Sequence, residues 1–188
     1  LEKNHLDPTP ALQFILLPIY DLSKETEMKI AKPRRVTRTY TQTLAGTPAE
    51  IFPLYCPVKE ALWCEGWDPV VVYSESGVVE KGCVFITEDA GTQAAWFVTE
   101  YDAAKGCVEM IKHTPEKTFV KLNILLAAVS AGTSQATITY SYTALSAAGE
   151  KALAAFTAAQ YETAMEAWEK AMNHYLRTGE MLTGLPDF

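Results

Sequence analysis

The sequence predicts an α+β domain in which an antiparallel sheet of about seven strands packs on one long C-terminal helix. Three observations lead there. Between Val70 and Leu145, runs of β-branched and aromatic residues succeed one another with only turn-length links. Such links join antiparallel neighbours, because parallel pairing needs a crossover of about a dozen residues or more. From Ser146 to Arg177 the residues Leu153, Phe156, Tyr161, Ala164, Met165, Trp168, Met172 and Tyr175 fall on one stripe of a helix, with charged residues opposite. Ahead of the sheet run stand one further strand and a capped helix start.

That first strand is Arg35 to Gln42 (RVTRTYTQ), where Val36 and Tyr40 alternate with threonines. Thr47-Pro48-Ala49-Glu50 then supplies an N-cap, a proline at the first helical position and a reciprocal glutamate three residues on. Pro53 and Pro57 interrupt this helix, so the segment to Trp63 reads as two short helical pieces. Strands are expected at Val70 to Ser74, Cys83 to Thr87, Gln93 to Tyr101, Cys107 to His113, Phe119 to Leu126 and Ser134 to Leu145. Val120, Leu122, Ile124 and Leu126 form one apolar face, and Ala136, Ile138, Tyr140 and Tyr142 another. The strand around Trp96 and Phe97 is apolar on both sides, which leaves its inward set open. The final helix is read as unbroken from Ser146, its N-cap, to a stop at Gly179, a length of about 45 Å at about 1.5 Å per residue.

Composition narrows the functions. With 23 acidic against 16 basic residues the formal charge is -7, so there is no broad positive field for nucleic acid or an anionic membrane. The local cluster Lys32, Arg34, Arg35 and Arg38 reads as a solvated strand edge. Cys56, Cys64, Cys83 and Cys107 show neither CxxC spacing nor accompanying histidines, which argues against a zinc site and for reduced thiols in a cytoplasm. Ala11 to Tyr20 (ALQFILLPIY) is half the length that spans a bilayer and holds Pro18, so membrane insertion is not expected. Residues 1–33 are read as an N-terminal extension, poorly ordered or packed on a neighbour, residues 34–180 as the domain and residues 181–188 as a tail. A homodimer is left open.

The element order, with TPAEIFPLYCPVKEALWCEGW (Thr47 to Trp67), YTALS (Tyr142 to Ser146) and NHYLRTGE (Asn173 to Glu180), resembles the START-like or SRPBCC superfamily over residues 35 to 180. Its members include birch-pollen-allergen-like, lipid-transfer and polyketide cyclase/dehydrase proteins. The resemblance implies a helix-grip fold, in which a curved sheet wraps the long helix and leaves an apolar cavity. It does not choose among carrier, sensor and enzyme.

The expected ligand is a small hydrophobic or aromatic molecule, lipid- or polyketide-like, held by a carrier or sensor. Trp63, Trp96, Val98, Met110, Leu122, Ile138, Tyr140, Tyr161, Met165 and Trp168 are its candidate contacts, since aromatic bodies with polar tips suit such a site and equally fill a plain core. Trp63 and Trp67 flank Glu65-Gly66 as a candidate mouth. The alternative is a cyclase- or dehydratase-type enzyme, for which His113 and Tyr140 are the candidate proton donors. Glu100, Asp102 and Glu109 are expected at the surface and His174 at the end of the long helix. A third reading is an interaction module with a filled core, using Phe97 or Ala11 to Tyr20 as contact. No phosphate loop, dinucleotide fingerprint or metal-ligand spacing occurs, so no cofactor and no metal is expected.

Overall fold

The computed structural model describes residues 32–89 and 91–185. The apolar run at Ala11 to Tyr20 lies outside them. The strands are β1 (Arg35–Leu44), β2 (Val70–Tyr73), β3 (Val84–Asp89), β4 (Thr92–Asp102), β5 (Cys107–Thr114), β6 (Thr118–Ser130) and β7 (Thr133–Ala144). They form one sheet in the order β1-β7-β6-β5-β4-β3-β2, and every pairing is antiparallel. Short links make β2 to β7 a meander, and β1 closes on β7. Along β4 the open question of parity is settled: Ala94, Trp96 and Val98 point inward and are buried, whereas Phe97 is exposed. The register slips between Val98 and Glu100, a bulge of the kind that bends and twists a sheet.

Between β1 and β2 the helical segment has three pieces rather than the expected two. In α1 (Pro48–Ile51) the Thr47 and Glu50 capping box is present as read from the sequence. A 3-10 turn (Phe52–Tyr55) continues it, Cys56 is extended, and α2 (Pro57–Glu60) restarts with Pro57 at its first position. Prolines, which lack an N–H, open each piece because a helix start has no use for that donor.

The long C-terminal helix is divided, against expectation. Here α3 (Ala147–Ala155) ends at Phe156, whose backbone is extended, and α4 (Ala158–Thr178) begins anew from Thr157. Thr157 accepts from the Gln160 amide and the Gln160 side chain accepts from the Thr157 amide, a second capping box. The break turns Phe156 onto Tyr142 and Tyr161, with ring centres 5.6 and 6.2 Å away and near-perpendicular planes. At 21 residues α4 is about 32 Å long, enough to cross the sheet. Ser146 caps α3 and Gly179, left-handed, ends α4, both as expected. Gly149 is required by close approach: a Cβ there would lie 1.9 Å from the Lys117 carbonyl in the β5–β6 turn.

Two polar residues of α4 tie it to the outer edge of the sheet. Glu169 accepts from the Tyr40 hydroxyl and the Thr43 amide, each at 2.9 Å. Asn173 accepts from the Ala45 amide at 2.8 Å and donates to the Thr43 carbonyl at 2.9 Å. The free backbone edge of β1 is thereby satisfied by side chains where no further strand pairs with it. The opposite, apolar stripe of α4, including Tyr161, Met165, Trp168 and Met172, enters the core with the inner faces of the strands.

Candidate functional site

Glu60, which the sequence reading did not single out, is a half-buried acid set against the core. It ends α2, and Trp63 and Cys64, three and four residues on, are both buried. That spacing places all three on one side of the turn. Glu60 Oε1 accepts from Trp168 Nε1 at 3.2 Å. Burial pushes the Glu60 carboxyl up to about 8, the tryptophan bond pulling slightly the other way. Its charge is felt by Tyr55, Cys64 and Tyr140. Burial holds the Tyr140 phenol well above its ordinary value and takes the Cys64 thiol up to about 12, so both stay neutral at pH 7.

The aromatics fall into three groups. Trp168 has Tyr55 and Trp63 as neighbours, with ring centres 5.9 and 5.3 Å away. Tyr140 stacks on Tyr142 at 5.6 Å and meets Tyr161 edge-on at 6.2 Å. Trp96 stacks on Phe85 at 5.3 Å with Trp67 across its edge. The polar tips are anchored: Trp63 donates to the Leu54 carbonyl, Trp67 to that of Pro57, Trp96 to the Thr87 hydroxyl and Tyr161 to the Ile138 carbonyl. Gln42 is fully buried, accepts from Tyr55 and leaves its amide nitrogen unpartnered.

The ten candidate contacts lie on or beside one core. They differ in what surface they keep. Trp63, Val98 and Ile138 are fully enclosed at 0 %, whereas Trp96, Met110, Leu122, Tyr161, Met165 and Trp168 retain 4 to 7 %. Tyr140, like Glu60, is only half-buried. His113 is exposed beside Phe119 on the outer face of the sheet, away from Tyr140. Glu100, Asp102 and Glu109 are held by Lys81, Lys105 and Lys121 in ion pairs that keep their carboxyls below the ordinary range.

A separate open groove of about 480 Å³ runs outside, lined by Tyr40, Glu166, Glu169, Lys170, Asn173 and His174 among others. Its wall is charged, and Tyr40, Glu169 and Asn173 are already committed to the bonds between α4 and β1. An apolar molecule has less to gain there than in the interior. Among the described residues no cluster of His, Cys, Asp and Glu has the grouping of a metal site, all four cysteines are free, and no helix is long and apolar enough to cross a membrane.

No protein-family model and no curated protein matches the chain in sequence. Solved structures do match in fold. Ara h 8.0201 superposes with a TM-score of 0.57 at 14% identity, over 77% of this chain and 99% of its own. Aromatase/cyclase Zhui from Streptomyces sp. R1128 gives 0.57 at 10% identity, over 79% of this chain and 100% of its own. A point mutant of norcoclaurine synthase from Thalictrum flavum, bound to a transition-state analogue, gives 0.60 at 10% identity, over 80% and 99%. All three belong to the SRPBCC superfamily, and the seven-stranded antiparallel sheet around α4 with short helices after β1 is their architecture. The chain therefore has the birch-pollen-allergen-like helix-grip fold of the START-like, or SRPBCC, proteins.

Proposed function

We propose that this protein binds a small hydrophobic or aromatic molecule, lipid- or polyketide-like, in a recess between the inner face of the sheet and α4, as a carrier or sensor. One observation carries the reading. Glu60 and Tyr140 are desolvated strongly enough to stay neutral, yet each keeps part of its surface exposed. Groups that are surrounded by protein and still keep surface line a recess rather than fill a core.

The test is a titration with the neutral fluorophore N-phenyl-1-naphthylamine. Binding in the micromolar range, about -8 kcal/mol, with transfer from tryptophan emission is expected. Leu122→Trp should fill the recess and abolish binding while the far-ultraviolet circular dichroism is unchanged. An interior packed solid would give no binding in either protein and would favour an interaction module instead.

Glu60 favours a second reading, a cyclase- or dehydratase-type enzyme on such a ligand. A carboxyl ionising near neutral pH beside a neutral tyrosine is suited to general acid–base work. Under that reading Glu60→Gln or Tyr140→Phe lowers turnover while affinity for the fluorophore survives. Under the carrier reading His113→Ala, on the outer face, leaves binding unchanged.

A further inference from the structure

We propose that Glu60 anchors a positively charged group, so that the molecule taken into the recess is a hydrophobic amine. This rests on the interior-binding reading and adds the chemistry of the ligand. Glu60 is, among the described residues, a half-buried acid without an ion-pair partner. Among the described residues the ion pairs are those of Glu100, Asp102 and Glu109 with Lys81, Lys105 and Lys121, and none involves Glu60.

Among the described residues, the groups that interact with Glu60 come from four directions and none is cationic. They are Tyr55 from the 3-10 turn, Cys64 just beyond α2, Tyr140 from β7 and Trp168 from α4; Glu169, also on α4, acts on the same Tyr55. Two cations do lie on the inner side of the sheet, but they bear on other groups. Arg38 acts on Tyr142, and the Lys112 ammonium stands 5.1 Å from the centre of the Trp96 ring. Neither is among the influences on Glu60.

A desolvated carboxyl in that setting is protonated at pH 7 and is favoured in its ionised form when a cation arrives. Trp168, bonded to Glu60 and keeping some surface, and Tyr140 supply aromatic faces of the kind that attract an ammonium group. Acid and rings together suit an organic amine with an apolar body. A neutral lipid can only share a hydrogen bond with the protonated acid, and an anionic one finds no counter-charge there.

The experiment is calorimetry on the full chain with 1-naphthylmethylamine and its neutral counterpart 1-naphthylmethanol. The amine should bind about tenfold tighter or better at pH 7.5. At pH 6.5 its binding should release about one proton per molecule, counted from two buffers of different ionisation enthalpy, because Glu60 must give up its proton to form the pair. Glu60→Gln should remove the amine's advantage over the alcohol and the proton release with it. Equal affinity of the two probes, or tighter amine binding without proton release, overturns the proposal while the recess stands. If neither probe binds, the interior-binding reading falls and this one with it. The proton count on the unaltered protein decides even if the variant does not fold.

Discussion

Glu60 concentrates most of what is unusual at the scale of single residues. In the folded protein its carboxyl stays protonated up to about pH 8, against an ordinary value of 4.5. Between those values the folded state holds a proton that the unfolded chain has lost, so stability falls as pH rises through that window and levels above it. Each unit of the window weighs about 1.4 kcal/mol. Glu60→Gln keeps shape and removes the titration. The variant should match the wild type near pH 4.5 and exceed it by a few kcal/mol at pH 8.5, as read from urea unfolding at each pH. The lowered carboxyls of Glu100, Asp102 and Glu109 act in the opposite sense and at lower pH, where acid breaks their lysine pairs. Parallel curves for the two proteins between pH 5 and 8 would mean that the Glu60 carboxyl is hydrated.

Among the elements, α3 and α4 show what the sequence discloses and what it conceals. The apolar stripe runs from Leu153 through Phe156 to Tyr161 and beyond without losing period, and so it reads as one helix. The break is written in a different signal, Thr157-x-x-Gln160, which satisfies the first amides of a new helix. Thr157→Ala should lower stability by about 1 kcal/mol in denaturant unfolding, since it removes that cap. A change below about 0.2 kcal/mol would show that packing of Phe156 alone maintains the break. The strands were legible because their turns are short and their inner faces alternate; only Trp96 and Phe97, apolar on both sides, required the register. Glu60 was hidden because an acid at the end of a short helix ordinarily faces water. Its spacing to Trp63 and Cys64 was the available signal. Glu169 and Asn173 lie off the apolar stripe of the helix, and nothing local marks them as partners for the backbone edge of β1.

For the whole molecule, the sheet order places β1 and β7 beside α4 and brings the distant residues Glu60, Tyr140 and Trp168 together from three elements. The fold is shared with Ara h 8.0201, an aromatase/cyclase and a norcoclaurine synthase at 10 to 14% identity, so it decides the architecture and leaves the ligand to the interior side chains. Those side chains are aliphatic and aromatic, and among the described residues Glu60 is the acid set against them with no ion-pair partner. A recess inside the sheet and helix, rather than the charged groove outside α4, is the central claim. The four tryptophan indoles give it a direct readout, because each N–H has a different acceptor: Leu54, Pro57, Thr87 and Glu60. In a ¹H–¹⁵N correlation spectrum titrated with N-phenyl-1-naphthylamine, the Trp168 indole bonded to Glu60 should shift, with the amides of Tyr140 and Leu122 moving alongside. Shifts confined to Lys170, His174 and their neighbours in the outer groove, with the Trp168 indole unmoved, would contradict it.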